Sequence, residues 1–152
     1  MRLVVQRVTS ARVATEAAGL LGEIGKGLCV LVGIGEGDGP QEVEWCTKTL
    51  LTTKFWPDEN DRPWKVALQN TDYKILVVSQ FTLYAKLYKK GKLDFHHAMA
   101  PDSARELYND IVVKLREALG QDRVEQGEFG AYMQVSIEND GPVTVNFEST
   151  DK

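Results

Sequence analysis

Histidine and cysteine are scarce in this chain, at two residues each among 152. The histidines, His96 and His97, are adjacent. Neighbours in sequence do not share one face of a helix or strand, so they rarely chelate one ion together. No spaced His/Cys/Glu set accompanies them, which argues against a metal centre. Cys29 lies in the apolar run 28–32 and Cys46 in a helix-like segment. That is the pattern of buried free thiols in a reducing compartment, and the cytoplasm is the expected location. Long apolar runs are missing too. The N-terminal stretch has two arginines and only Leu3-Val4-Val5 in succession, too little for a leader or a membrane span. Nor is there an excess of basic charge: 18 Lys and Arg against 22 Asp and Glu leave a net charge of −4. This argues against a protein that wraps a long nucleic acid, while leaving room for a small contact with one end of one.

What is present reads as a single α+β domain over residues 1–152. Its length suffices for a sizeable core, and no repeat, linker or low-complexity tract interrupts it. Alternation over 2–8 predicts a strand, and 11–15 a second that pairs back. Residues 28–32 are apolar on both faces, as in a central strand. Pro40 suits the first turn of a helix over 41–53, with Val43, Cys46, Leu50 and Leu51 on one face. Residues 55–71, with Trp56 and Trp64, read as a packed loop. The run from Lys74 to Leu83 is the strongest strand signal. A second helix is predicted over 101–119, stopped by Gly120. Two last strands, 132–138 and 142–148, flank Asn139-Asp140-Gly141-Pro142. Asp-Gly between alternating segments signals a hairpin, and on this local pattern alone Pro142 belongs to an ordinary turn. The order of elements lacks βαβ alternation. It predicts a curled, barrel-like sheet, mostly antiparallel or mixed, with two main helices.

Three stretches bear on chemistry. The glycine loop 33–39 has Asp38 where a dinucleotide fingerprint needs its third glycine, so it reads as a flexible turn, and no cofactor is expected. Ser79, Gln80 and Thr82 finish an otherwise apolar strand, where polar side chains need partners or a ligand. No G-x-S-x-G elbow is present and no histidine has an obvious orienting acid, so a serine-hydrolase triad is poorly supported. Lys86, Lys89, Lys90 and Lys92 are interleaved with Tyr84 and Tyr88 without an acid between. Such a patch is either a solvated loop or a handle for a nucleic-acid end.

Ser79-Gln80-Phe81-Thr82-Leu83 together with Asn139-Asp140-Gly141-Pro142-Val143-Thr144 closely resembles the D-aminoacyl-tRNA deacylases. The likeness extends to Gln6-Arg7-Val8, to 27–33 and to Gly127-Glu128-Phe129-Gly130-Ala131-Tyr132-Met133. The resemblance implies a homodimeric hydrolase that cleaves the ester between a D-amino acid, or mischarged glycine, and the 3′-terminal adenosine of tRNA. It implies a reaction centre at Ser79, Gln80, Phe81 and Thr82, with backbone N–H groups near Phe81 and Thr82 facing the oxyanion. The terminal 2′-hydroxyl of the tRNA would activate water, with Thr82 as the competing nucleophile. Gly141-Pro142 would be cis and reach into the partner subunit as the chirality filter, held by Gln6 and Arg7. Phe129, Gly130, Ala131 and Met133 would shape the adenosine pocket, with Arg7 beside the substrate and the four lysines on the tRNA. The chain departs from the family at Gly91-Lys92-Leu93-Asp94, where Gly-Asn-Arg-Pro is common, and at Lys54, where arginine is frequent. Both departures bear on tRNA contacts. Competing readings are a paralogous deacylase of relaxed chirality and a non-catalytic tRNA-binding module. Gln80-Phe81-Thr82 favours the D-specific branch over the first, and Ser79–Thr82 argues against the second.

Overall fold

The computed structural model describes residues 1–150. Strand β1 (Arg2–Thr15) runs through the middle of the sheet. It is followed by β2 (Gly19–Ile24), β3 (Gly27–Gly33) and helix α1 (Pro40–Thr52). The short strands β4 (Lys54–Trp56) and β5 (Val66–Ala67) precede the buried strand β6 (Lys74–Ser79). A two-stranded ribbon of β7 (Lys86–Leu87) and β8 (Leu93–Asp94) leads to helix α2 (Pro101–Leu119), then β9 (Val124–Gln126) and β10 (Gln134–Glu148). The main sheet has the order β10-β1-β3-β6-β9, with β2 also paired to β1. β3, β6 and β9 are parallel to one another, while β1 is antiparallel to β10, β2 and β3. The fold is therefore α+β, a nearly closed, barrel-like mixed sheet with two helices. Among the described residues no helix is long and apolar enough to cross a membrane.

Burial explains why these segments pair as they do. Leu28, Val30 and Val32 of β3 join Leu3, Val5, Ile75 and Val77 against the helices. From the helices, Val43, Cys46 and Leu50 meet Tyr108, Ile111 and Leu115 in the same cluster. The opposite sheet face closes on itself: Val8, Ala11, Val13, Cys29, Leu76 and Val78 pack with Val135 and Ile137 of β10. With apolar side chains required on both faces, β3 and β6 lose the polar alternation of a half-exposed strand. Burial pushes the Cys29 thiol up to about 11 and the Cys46 thiol up to about 12, so both free thiols are inert.

Four expectations need correction. The strands expected at 2–8 and 11–15 are one strand, β1. Its register against β10 slips between Val8 and Ser10, leaving Thr9 as an extra residue. One inserted residue flips every later side chain to the other face, which is why the alternation read as a break. The run 74–83 is strand only to Ser79. Gln80 (φ −147, ψ 84) bends the chain into a 3-10 turn at Phe81–Tyr84, so Phe81 and Thr82 do not continue the strand's alternation. The last β3–β6 pair is Val32–Ser79, so a longer β6 would have no ladder partner there. The region 55–71 is not plain loop: β4 and β5 pair, and Phe55, Trp56 and Leu68 are buried. Finally, Gly141-Pro142 does not turn a hairpin. Residues on both sides of it pair with β1, Val143 opposite Arg7 and Asn139 opposite Val8. Residues 140–142 are looped out of one continuous strand.

Candidate active site

A cavity of about 800 Å³ opens where β6 gives way to its 3-10 turn. Ser79, Gln80 and Phe81 form one wall, and Phe129, Gly130, Ala131, Tyr132 and Met133 another. Met99, Pro101, Ala104 and Arg105, at the start of α2, complete it together with Phe95. The lining is mainly apolar, with a few polar groups converging at the strand end, the usual make-up of a small-molecule site.

The turn is fixed from several sides. Gln80 N–H donates to the Val32 carbonyl at 2.7 Å, and Leu83 N–H to the Gln80 carbonyl at 3.3 Å. The Arg2 guanidinium donates to the Leu83 carbonyl at 2.9 Å and lies 4.6 Å from the centroid of the Tyr84 ring. Burial, reinforced by the Asp38 carboxylate, pushes the Tyr84 phenol up to about 12. Gly33 makes the tight fold possible: a Cβ there would sit 2.9 Å from Leu83 Cβ and 3.1 Å from the Gln80 carbonyl oxygen. As the first residues of a 3-10 turn, Phe81 and Thr82 have N–H groups with no acceptor inside it. The Gln80 side-chain amide donates to Thr82 Oγ1. Thr82 itself is not part of the cavity lining.

Phe81 is 57% exposed and meets Phe95 edge-on, with centroids 5.2 Å apart. On the facing wall Phe129 packs against Tyr108 at 5.7 Å. The Tyr108 hydroxyl donates to the Val77 carbonyl at 2.9 Å, tying α2 to β6 beneath the cavity. Tyr132, at the mouth, is 91% exposed.

Arg7, Gly141 and Pro142 lie outside this lining. The Gly141-Pro142 peptide is cis, and Gly141 has φ 127, a region that L side chains rarely adopt. Arg7 holds the loop: its Nε donates to the Asp140 carbonyl and stands 3.2 Å from the Asp140 carboxylate, while Nη1 donates to the Phe55 carbonyl at 2.6 Å. Gln6 adds weaker bonds of 3.4 Å to Asn139 and Thr144. Through Nε and Nη1, Arg7 clamps the loop.

Lys89, Lys90 and Lys92 are exposed at the tip of the β7–β8 ribbon, with Lys86 at its base and exposed Leu87, Tyr88 and Leu93 between them. The Lys86 ammonium is 2.7 Å from His97 Nε2, and His96 bonds through Nδ1 to the Asp94 carboxylate. Desolvation pushes the Asp94 carboxyl upward, but the side-chain and backbone hydrogen bonds from His96 outweigh it and hold it below the usual value. The ribbon runs directly into Phe95 at the cavity. The glycine loop is structural: Asp38 accepts from Gly35 N–H at 2.7 Å and from the Met1 ammonium at 2.7 Å.

Phe95, Met99, Arg105 and Val135 were not marked as site residues in the sequence, and Tyr132 entered only within the family-matching stretch 127–133. An α2 arginine reads as ordinary helix surface, and only the fold reveals that this one faces a cavity.

The D-Tyr-tRNA(Tyr) deacylase family matches residues 4–148. A D-aminoacyl-tRNA deacylase of Drosophila melanogaster is 44% identical over 152 residues, covering 100% of this chain and 94% of that protein. D-aminoacyl-tRNA deacylase 1 of Homo sapiens is 43% identical over 149 residues, covering 98% and 70% respectively. The solved structure of a c-Myc DNA unwinding element binding protein superposes with a TM-score of 0.92 at 42% identity, covering 98% of this chain and 99% of that one. The matched span takes in both cavity walls and the looped-out segment of β10, and this chain belongs to the D-Tyr-tRNA(Tyr) deacylase family.

Proposed function

We propose that this chain hydrolyses the ester joining a D-amino acid to the 3′-terminal adenosine of tRNA, and that the cavity at the end of β6 is where it does so. The observation that carries this reading is the meeting of Ser79-Gln80-Phe81 with Phe129–Met133 around one space of about 800 Å³. Among the described residues, no carboxylate, histidine or cysteine lines it. An aminoacyl ester is already activated, so positioning, an oxyanion partner and a water suffice. The N–H groups of Phe81 and Thr82 are the oxyanion donors, each of a kind whose removal costs roughly 10²–10³ in rate. The substrate's own 2′-hydroxyl activates the water.

Chirality is read by Gly141-Pro142. Both residues are exposed and contribute nothing to this chain's own cavity lining, which supports delivery of the loop from a second copy in a homodimer. An L side chain would be rejected there, while glycine, having none, would pass. The protein acts as one domain in the cytoplasm. D-Tyr-tRNA is expected to be deacylated at least about 100-fold faster than L-Tyr-tRNA, a gap of roughly 2.7 kcal/mol in transition-state binding. Equal rates on the two would overturn the reading.

The lysine ribbon is the handle for the tRNA. Replacing Lys89 and Lys90 with glutamine is expected to weaken tRNA binding and to flatten the plot of log K against log salt by roughly one to two units. An unchanged slope would return the ribbon to a solvated loop.

A further inference from the structure

Among the described residues, Arg105 is the one permanently charged side chain in the lining of the cavity. It follows the buried Ala104 near the start of α2. Its guanidinium carbon stands 4.9 Å from the centroid of the Phe129 ring. Among the described residues it enters no ion pair. Arg2 and Arg7, by contrast, are held by carboxylates as well as backbone carbonyls, and Arg123 donates to the Tyr73 and Leu68 carbonyls. A guanidinium resting on an aromatic face keeps its edge N–H groups for an anion, and its planar fork suits two oxygens of a phosphate. In a chain of net charge −4, this is a lone positive group at an otherwise uncharged cavity.

We propose that Arg105 recognises the phosphodiester linking the terminal nucleoside to the rest of the 3′ strand, and so positions that nucleoside against Phe129. The inference rests on the reading of the cavity given above. The phosphodiester is favoured over a carboxylate on the amino acid because every aminoacyl-tRNA carries it, immediately beside the nucleoside that would lie on Phe129. Arg105 is thus a positioning residue. It should act on KM rather than on kcat.

The test compares two substrates, D-Tyr-tRNA and D-tyrosyl-adenosine, the second having no phosphate. Arg105→Gln is expected to raise KM for D-Tyr-tRNA by roughly tenfold more than for D-tyrosyl-adenosine, the scale of a lost charge-assisted hydrogen bond. It should also reduce the salt dependence of tRNA binding by about one phosphate equivalent. Arg105→Glu should raise KM further, and Arg105→Lys should recover part of the loss. Equal penalties on the two substrates would overturn the proposal and reduce Arg105 to a support for Phe129. So would a fall in kcat alone, or a penalty confined to tRNA charged with D-Asp or D-Glu. Failure of the wild-type chain to cleave either ester would overturn the reading of the cavity itself, and the inference with it. Thermal melting of each variant separates loss of function from loss of fold.

Discussion

D-Tyr-tRNA whose terminal adenosine lacks the 2′-hydroxyl is expected to resist hydrolysis by roughly 10²–10⁴-fold, the usual worth of a general base. Thr82→Ala, in contrast, is expected to keep turnover within about tenfold of the wild type, below that range. The reasons are local. Among the described residues, no carboxylate, histidine or cysteine lines the cavity, and Thr82 is outside the lining with its hydroxyl accepting from the Gln80 amide. A nucleophilic threonine would need a neighbouring base to take its proton. Single-turnover release of tyrosine from the two tRNAs, with each enzyme, decides the matter. Robust cleavage of the 2′-deoxy substrate together with an inactive Thr82→Ala would make the threonine the nucleophile.

Arg7→Ala is expected to be the most damaging change outside the cavity. The Arg7 side chain is only 16% exposed and joins Phe55 to Asp140, two segments far apart in sequence. Its removal leaves the Phe55 carbonyl and the partly buried Asp140 carboxylate without a cation. Losing one partner of such a pair costs about 3 kcal/mol. For a chain of this length that lowers Tm by roughly 6–12 °C. On the proposed reading it also frees the chirality loop, so the ratio of D- to L-Tyr-tRNA cleavage should fall. Arg7→Lys keeps a charge but not the fork, and should fall between the two. Gln6→Ala, which loses only exposed bonds of 3.4 Å, should stay within about 0.5 kcal/mol of the wild type. A stable Arg7→Ala with unchanged chiral ratio would remove the clamp from the mechanism.

Where one physical rule dominated, the fold was legible in the sequence. Pro40 and Pro101 at helix starts, Gly120 at a helix end and the two-faced apolar run at Leu28–Val32 all read correctly. Legibility failed where two rules met. Thr9 is one extra residue, and it inverts the periodicity that would have joined 2–8 to 11–15. Residues 81–84 carry good strand formers, yet β3 ends at Gly33 and offers no further partner, so tertiary supply of hydrogen bonds overrode propensity. Asp140-Gly141 has hairpin chemistry, but β1 is long enough to pair with both flanks. Strand β2, with Gly19 and Gly22 inside it, carries too weak a pattern to be seen. At the site, Ser79 and Gln80 were marked by polar side chains ending an apolar strand, Phe81 and residues 129–133 by resemblance between motifs, and the fold brings them around one cavity. Arg105 had no local signal, because facing a cavity is a property of three dimensions.

The looped-out segment 140–142 has one more consequence, for how the molecule behaves in a crowd. β10 is the outermost strand on its side of the sheet. A continuous outer strand of fifteen residues would be an open template onto which strands of other molecules could add without limit. The loop divides that template into 134–139 and 143–148, and Pro142 has no N–H to offer an incoming chain. Removing the loop would thus join two short edges into one long one and favour fibrous aggregation.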